Sequence, residues 1–128
     1  MIEGRILAVL GALLSALAVG LGAFGAHALK DVLDPQALET WTTGTTYLGW
    51  HAAALLLTGL LAEFVRPGLI NTAGALFLAG IFLFCGSLFV LALGGPRWFG
   101  PVTPLGGVAF ISGWIVTAVA VWRMMDAT

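Results

Sequence analysis

The stretch ILAVLGALLSALAVGLGAFGAHAL, Ile6 to Leu29, contains no Asp, Glu, Lys or Arg. An uncharged run longer than about 18 residues is enough to cross a bilayer as a helix. From just ahead of this run, Gly4, Ala8, Gly11, Ser15, Ala18, Gly22 and Gly25 recur in alternating steps of four and three. On a helix those steps place every one of them on one narrow stripe, along which a second backbone can come close. The fold therefore reads as apolar helices packed against this stripe.

Composition extends the reading to the whole chain. Of the 128 residues 60% are hydrophobic and 9% charged, and the mean hydropathy is +1.06. Soluble domains carry about 25% charged residues, so the sequence is that of an integral membrane protein. Net charge is -1 and the charges are scattered. That leaves no basic face for nucleic acid and no polybasic run for anionic lipid. The single cysteine, Cys85, lies in an apolar run, which excludes a disulfide framework or a Cys-rich metal site within one chain.

Four uncharged runs qualify as spans: 6–29, 45–62, 69–93 and 105–122. The joins between them are short, so consecutive helices are expected to be antiparallel neighbours in one all-α transmembrane domain, a four-helix bundle. Met1 to Arg5 and Ala26-His27-Ala28 resemble the ends of a signal peptide, but the apolar run exceeds the roughly 7–15 residues of such a segment. The regular small stripe points instead to a helix that stays and packs.

Asp34-Pro35 is a helix start, with Asp as cap and Pro at the first helical position. It predicts a short interfacial helix between spans one and two, reaching Trp41 as an interface-belt residue. Span two ends at Glu63 and Arg66-Pro67, which predicts a tight turn. Span three runs to Gly94-Gly95-Pro96. The Gly- and Pro-rich connection that follows must leave the hydrocarbon or be shielded by protein. Thr103-Pro104 reads as cap and first residue of span four, which Trp122 and Arg123 close.

Small residues also recur every seven positions in span three (Ala73, Gly80, Ser87, Gly94) and span four (Gly106, Gly113, Ala120). A seven-residue period implies left-handed packing at crossing angles near about +20°. With four spans both termini share a side, carrying Arg5, Arg66 and Arg123 against Lys30 and Arg97. The positive-inside rule then places the termini in the cytoplasm.

Polar groups within a span are costly to bury unpaired and so mark candidate sites. Tyr47, His51 and Thr58, separated by four and seven, share one face of span two. At about 1.5 Å of rise per residue, His51 lies roughly 9 Å below the start of span two, and Ser87 a similar distance below the end of span three. His27, Thr103 and Gly106 belong to that same leaflet. A candidate pocket of Tyr47, His51, Ser87, His27, Thr103 and Gly106 follows, while Gly11, Ser15, Ala18, Gly22, Gly25, Gly80 and Gly113 are assigned to helix packing. His27 stands about 150° round the helix from the small stripe, favouring a headgroup or capping role. For His51 the expected role is a structural hydrogen bond.

Two histidines are too few for a closed zinc site, and a haem would need both rings facing each other at one depth. No Asp or Glu lies mid-span, which removes the usual support for proton-coupled export. No nucleophile–base pairing or phosphate-binding loop is present at recognised spacing. The sequence thus calls for no cofactor, no metal and no catalytic residue, and an enzyme is not the expectation.

Gly22 to Leu29 (GAFGAHAL), Tyr47 to Leu56 (YLGWHAAALL), Phe84 to Leu93 (FCGSLFVLAL), Thr103 to Gly107 (TPLGG) and Gly113-Trp114 together resemble the small inner-membrane proteins of the YgdD and YwdK type. The resemblance spans nearly the whole chain in order. It implies a four-span protein of the bacterial cytoplasmic membrane with unassigned molecular function, and it supplies no catalytic residues. The chain departs from that pattern at Trp50, where relatives often carry another aromatic, and at Cys85, where Ser is usual. The expectation is a non-catalytic protein acting through packing with lipid, itself or a membrane complex. The alternative is a binding or transport site for a small hydrophobic or weakly polar molecule between the helices.

Overall fold

The computed structural model describes residues 3–65 and 67–126. Arg66, used above for orientation and for the turn after span two, lies outside the described residues, as do Met1 and the N-terminal amine. The protein is all-helical: α1 is Gly4–His27, α2 Pro35–Leu61, α3 Pro67–Gly80, α4 Gly86–Ala92 and α5 Val102–Asp126. A π-helical turn, Ile81–Cys85, joins α3 to α4, and a 3-10 turn, Arg97–Phe99, precedes α5.

Among the described residues three rods are long and apolar enough to cross a membrane: α1, the run Gly68–Ala92 through the π turn, and the run ending in α5. The rod outside this set is α2, which carries five threonines, Tyr47 and His51 within Pro35–Leu61 before Thr58 is added. Its threonines are quieted locally. Thr40, Thr42 and Thr43 hydroxyls donate to the carbonyls of Gln36, Leu38 and Glu39 at 3.1, 2.9 and 3.0 Å.

The separate interfacial helix expected between spans one and two does not form. Asp34 caps the helix, accepting from the Ala37 amide at 2.8 Å, and Pro35 fits the first turn. No second proline follows, and Gly44 and Gly49 are carried inside the helix, so α2 runs without interruption from Pro35 to Leu61. Trp41 accordingly is not an interface-belt residue. It is buried, with its Nε1–H donating to the Leu21 carbonyl at 2.9 Å. A Cβ on Gly25 would come within 2.6 Å of the Trp41 ring, so the glycine makes the recess that admits the indole. Leu29 and Ala92 complete this small cluster.

The small stripe of α1 faces α2. A Cβ on Gly11 would come within 2.8 Å of the Ala52 carbonyl oxygen, and one on Gly59 within 2.6 Å of the Gly4 carbonyl oxygen. Contact at this range is backbone on backbone, the source of helix association where lipid removes any hydrophobic drive. Ala18 is buried with Gly49 nearby, and Ser15 bonds the Gly11 carbonyl at 2.8 Å. Gly22 is the exception, since a Cβ there would meet nothing within 4 Å. On its far side α1 exposes Val9, Leu13 and Val19, and its contact with α3 is limited to the region where Leu7 fills the space over Gly74.

The other helices gather round α2, which packs on α3, the π turn and α4, while α5 lies along α3 and the π turn. Two aromatic rings lock into glycines there: Phe77 against Gly113, with 2.8 Å to a Cβ, and Phe110 against Gly80. The π turn is made by the Gly86 amide donating to the Ile81 carbonyl five residues back. Such a turn adds one residue to the helix and is common at functional sites. Here it sets the Phe84 backbone against Gly106, whose Cβ would lie 2.7 Å from the Phe84 Cα.

Gly94 ends α4 with φ +85. The Gly94 amide reaches the Leu91 carbonyl at 3.1 Å and the Gly95 amide the Val90 carbonyl at 2.8 Å. This is the paired closure that needs a left-handed residue, which glycine adopts without a Cβ penalty. Thr103 does not cap α5, which begins one residue earlier at Val102. The preceding 3-10 turn leads straight into the helix, and Pro104 falls in the first turn, where its missing N–H costs nothing.

Candidate functional site

The buried polar residues His51, Thr58 and Ser87 each have a hydrogen-bond partner. His51 is buried on α2, and its Nδ1 lies 2.8 Å from the carbonyl oxygen of Tyr47 one turn back. A carbonyl only accepts, so Nδ1 carries the proton and Nε2 keeps its lone pair. That lone pair accepts the Trp114 Nε1–H at 3.1 Å, from α5. The imidazole is thus neutral, in one tautomer, with both nitrogens used.

Its faces are used as well. Phe110 stacks on it at 3.6 Å between ring centroids and 11° between planes, and Phe77 approaches at 5.9 Å. Trp114 meets Phe77 edge to face at 5.1 Å. Every one of these rings except His51 comes from α3 or α5, so the histidine is the point at which α2 is tied to the other two.

A second tie lies nearer the end of the rods. Ser87, buried on α4, sits 2.5 Å from the Thr103 hydroxyl at the start of α5 and bonds the Phe84 carbonyl at 3.0 Å. With the serine proton on that carbonyl, the threonine donates to the serine oxygen. Thr58 is fully buried and bonds within α2, to Leu55 at 2.8 Å.

Of the residues grouped by sequence, Tyr47 and His51 come together beside Phe84 and Phe110. Ser87 and Thr103 form their own pair, Gly106 packs on Phe84, and His27 is exposed at the last turn of α1, outside these contacts. Tyr47 is only half-buried, its ring 4.7 Å from Phe84. Beside it opens a cleft of about 430 Å³ between α2 and α5, lined by Tyr47, His51, Phe84, Gly107, Phe110, Ile111 and Trp114.

Phe84, Gly107, Phe110 and Trp114 were not singled out as site residues from the sequence. Trp114 gave a usable signal: tryptophan belongs at membrane interfaces, and this one stands midway along its span, where its N–H needs a buried acceptor. Among the described residues no group of three or more His, Cys, Asp or Glu is placed to hold a metal ion.

The sequence profile of a family described as "Protein of unknown function (DUF423)" matches residues 21–107. The chain belongs to that family. DUF423 relatives include the UPF0382 membrane protein YwdK of Bacillus subtilis, 45% identical over 91% of this chain and 95% of its own. A UPF0382 membrane protein of Staphylococcus epidermidis is 44% identical over 91% of this chain and 94% of its own. Another, from Staphylococcus haemolyticus, is 34% identical over 94% and 98%. The resemblance seen in GAFGAHAL and YLGWHAAALL is therefore a family relationship, and this DUF423 chain is a membrane protein of unknown function. No solved structure matches it.

Proposed function

We propose that this DUF423 chain is a non-catalytic protein of the bacterial cytoplasmic membrane, a single domain of four helices in an antiparallel, left-handed bundle with both termini in the cytoplasm. On this reading α2 is the fourth span, with Thr45, His51 and Thr58 buried among its neighbours. The protein acts through its packed faces, on lipid, on a second copy or within a membrane complex.

The observation that carries the reading is the Trp114–His51–Tyr47 chain of hydrogen bonds, which uses both nitrogens of the one buried histidine to join helices. A histidine so committed has no lone pair or proton left for a substrate. The outward faces of α1 and α5, with Leu13 and Val19 on one and Val108 and Ile115 on the other, are what lipid or a partner helix would meet. The test is joint replacement of His27, Tyr47 and His51 by residues that keep the fold. Full rescue of a deletion strain in growth competition is expected, and loss of rescue with an intact fold would sink the reading.

A second reading has its own support in the cleft beside Tyr47: a site for a small hydrophobic or weakly polar molecule. Its volume and mostly aromatic lining lie within the range of small-molecule sites. Substitutions that fill the cleft without unfolding the protein test it, through loss of a saturable ligand.

A further inference from the structure

We propose that the cleft between α2 and α5 takes a neutral, flat ring bearing an oxygen, the headgroup of a lipid-soluble quinone or phenol. The proposal rests on the second reading above and names its ligand class.

Charge is decided by what lines the cleft. None of its residues carries a charge, and Trp114 lies halfway along α5 (Val102–Asp126). An ionised ligand there would give up its water with no counter-charge in return. Shape is decided by the rings: Tyr47 stands half-exposed on α2 and Trp114 on α5, with the Phe84 and Phe110 rings beside Tyr47. Aromatic walls favour a ring over a branched aliphatic chain, because offset and edge contacts add to plain burial.

Polar capacity is limited to one group. His51 has both nitrogens engaged and the Trp114 N–H is given to it. Among the described residues the Tyr47 hydroxyl, by contrast, has no hydrogen bond, and it is the lining's remaining side-chain donor. A ligand with one or two oxygens on a ring matches that inventory, whereas a many-hydroxyl ligand would be left unsatisfied.

The adjacent glycines differ in a way that singles out the space itself. Gly106 is required by packing, since its Cβ would press on the Phe84 backbone. Gly107 is not: a Cβ there would touch the Phe84 ring at an ordinary 3.8 Å. Its missing side chain serves the volume of the cleft and no helix contact. The π turn contributes to the same place, because it sets Phe84 at this level of the rod.

The experiment uses the full chain in phosphatidylcholine nanodiscs, titrated with a decyl-substituted benzoquinone and read by quenching of tryptophan fluorescence. Decylphenol, decanol and decyltrimethylammonium serve as competitors. Expected is saturable quenching, displaced by decylphenol and not by decanol or the cation. Gly107→Leu and Ile111→Phe, which fill the cleft from α5, should weaken it by about tenfold or more. Helical content and melting temperature are followed for each, and where Gly107→Leu fails to fold, Ile111→Phe decides. Displacement by decanol as strong as by decylphenol, lost in the filled variants, overturns the ring preference while the cleft stands as a site. Displacement by the cation in preference overturns neutrality. Quenching that is unsaturable, or unchanged by both substitutions, overturns the proposal and the second reading together.

Discussion

The indole of Trp114 donates to Nε2 of His51 across 63 positions of sequence, at 3.1 Å, and so fixes which ring nitrogen of the histidine bears the proton. One bond from α5 thereby sets the tautomer of a residue on α2. The stacking of Phe110 on the same ring makes His51 a packing element as much as a polar one.

Removing this node should be costly. His51→Ala leaves a void beside Phe110 and an indole N–H without its acceptor, and is expected to destabilise the protein by about 2–4 kcal/mol. Trp114→Phe keeps most of the ring and should cost about 1–2 kcal/mol. Reversible unfolding in mixed micelles measures both, and a double-mutant cycle should return a coupling of about 0.5–2 kcal/mol. Additivity of the two would mean that the bond contributes nothing.

The seam between α1 and α2 should separate tight glycines from an open one. Gly11→Ile and Gly59→Ile each place side-chain atoms into a facing backbone, and each should cost more than about 2 kcal/mol or part the two helices. Gly22→Ala meets nothing. It should be neutral or stabilising by up to about 1 kcal/mol, through helix propensity alone. Cross-linking of engineered cysteines on the two helices reports the parting directly.

For the hydroxyl pair, Thr103→Val should cost about 0.5–1.5 kcal/mol, in the range of hydrogen bonds between membrane helices. Ser87→Ala should cost at least as much, because it strands the Thr103 proton, whereas Ser87 keeps its bond to the Phe84 carbonyl when Thr103 is replaced. The double variant should be little worse than the worse single one, since no buried group is then left alone. Unfolding midpoints of the three variants check this, and a double variant whose loss is the sum of the singles would contradict it.

Topology gives a separate expectation. Fusions of a reporter that works only outside the cytoplasm should be active after Leu33 and after Arg97, and inactive after Phe64 and after Asp126. Activity at both Leu33 and Phe64 would mean that α2 does not cross, and activity after Asp126 would reverse the orientation.

Much of this protein is fixed locally and was therefore legible in the sequence. Apolar length and the scarcity of charge determine that these are membrane helices, and the family relationship was readable from five short stretches. The spacing of Gly4, Gly11 and Gly25 determines a surface that another backbone can approach, because helical phase depends only on separation along one chain. Asp34-Pro35 likewise determines where α2 begins. What the sequence did not decide was which way Trp41 would face. Trp41 turned inward because Gly25 and the Leu21 carbonyl on another helix offered it a recess and an acceptor.

The candidate site belongs mostly to tertiary structure. Helical phase showed that Tyr47 and His51 share a face, but it could not show what that face meets. The π turn shifts the register of everything after Ile81, so Phe84 and Ser87 do not point where a regular helix would aim them. That His51 meets the indole of Trp114 was decided by the rotation of α5 about its own axis. That rotation is set by Gly106 and Gly113 seating on Phe84 and Phe77, contacts between distant residues that no local period encodes.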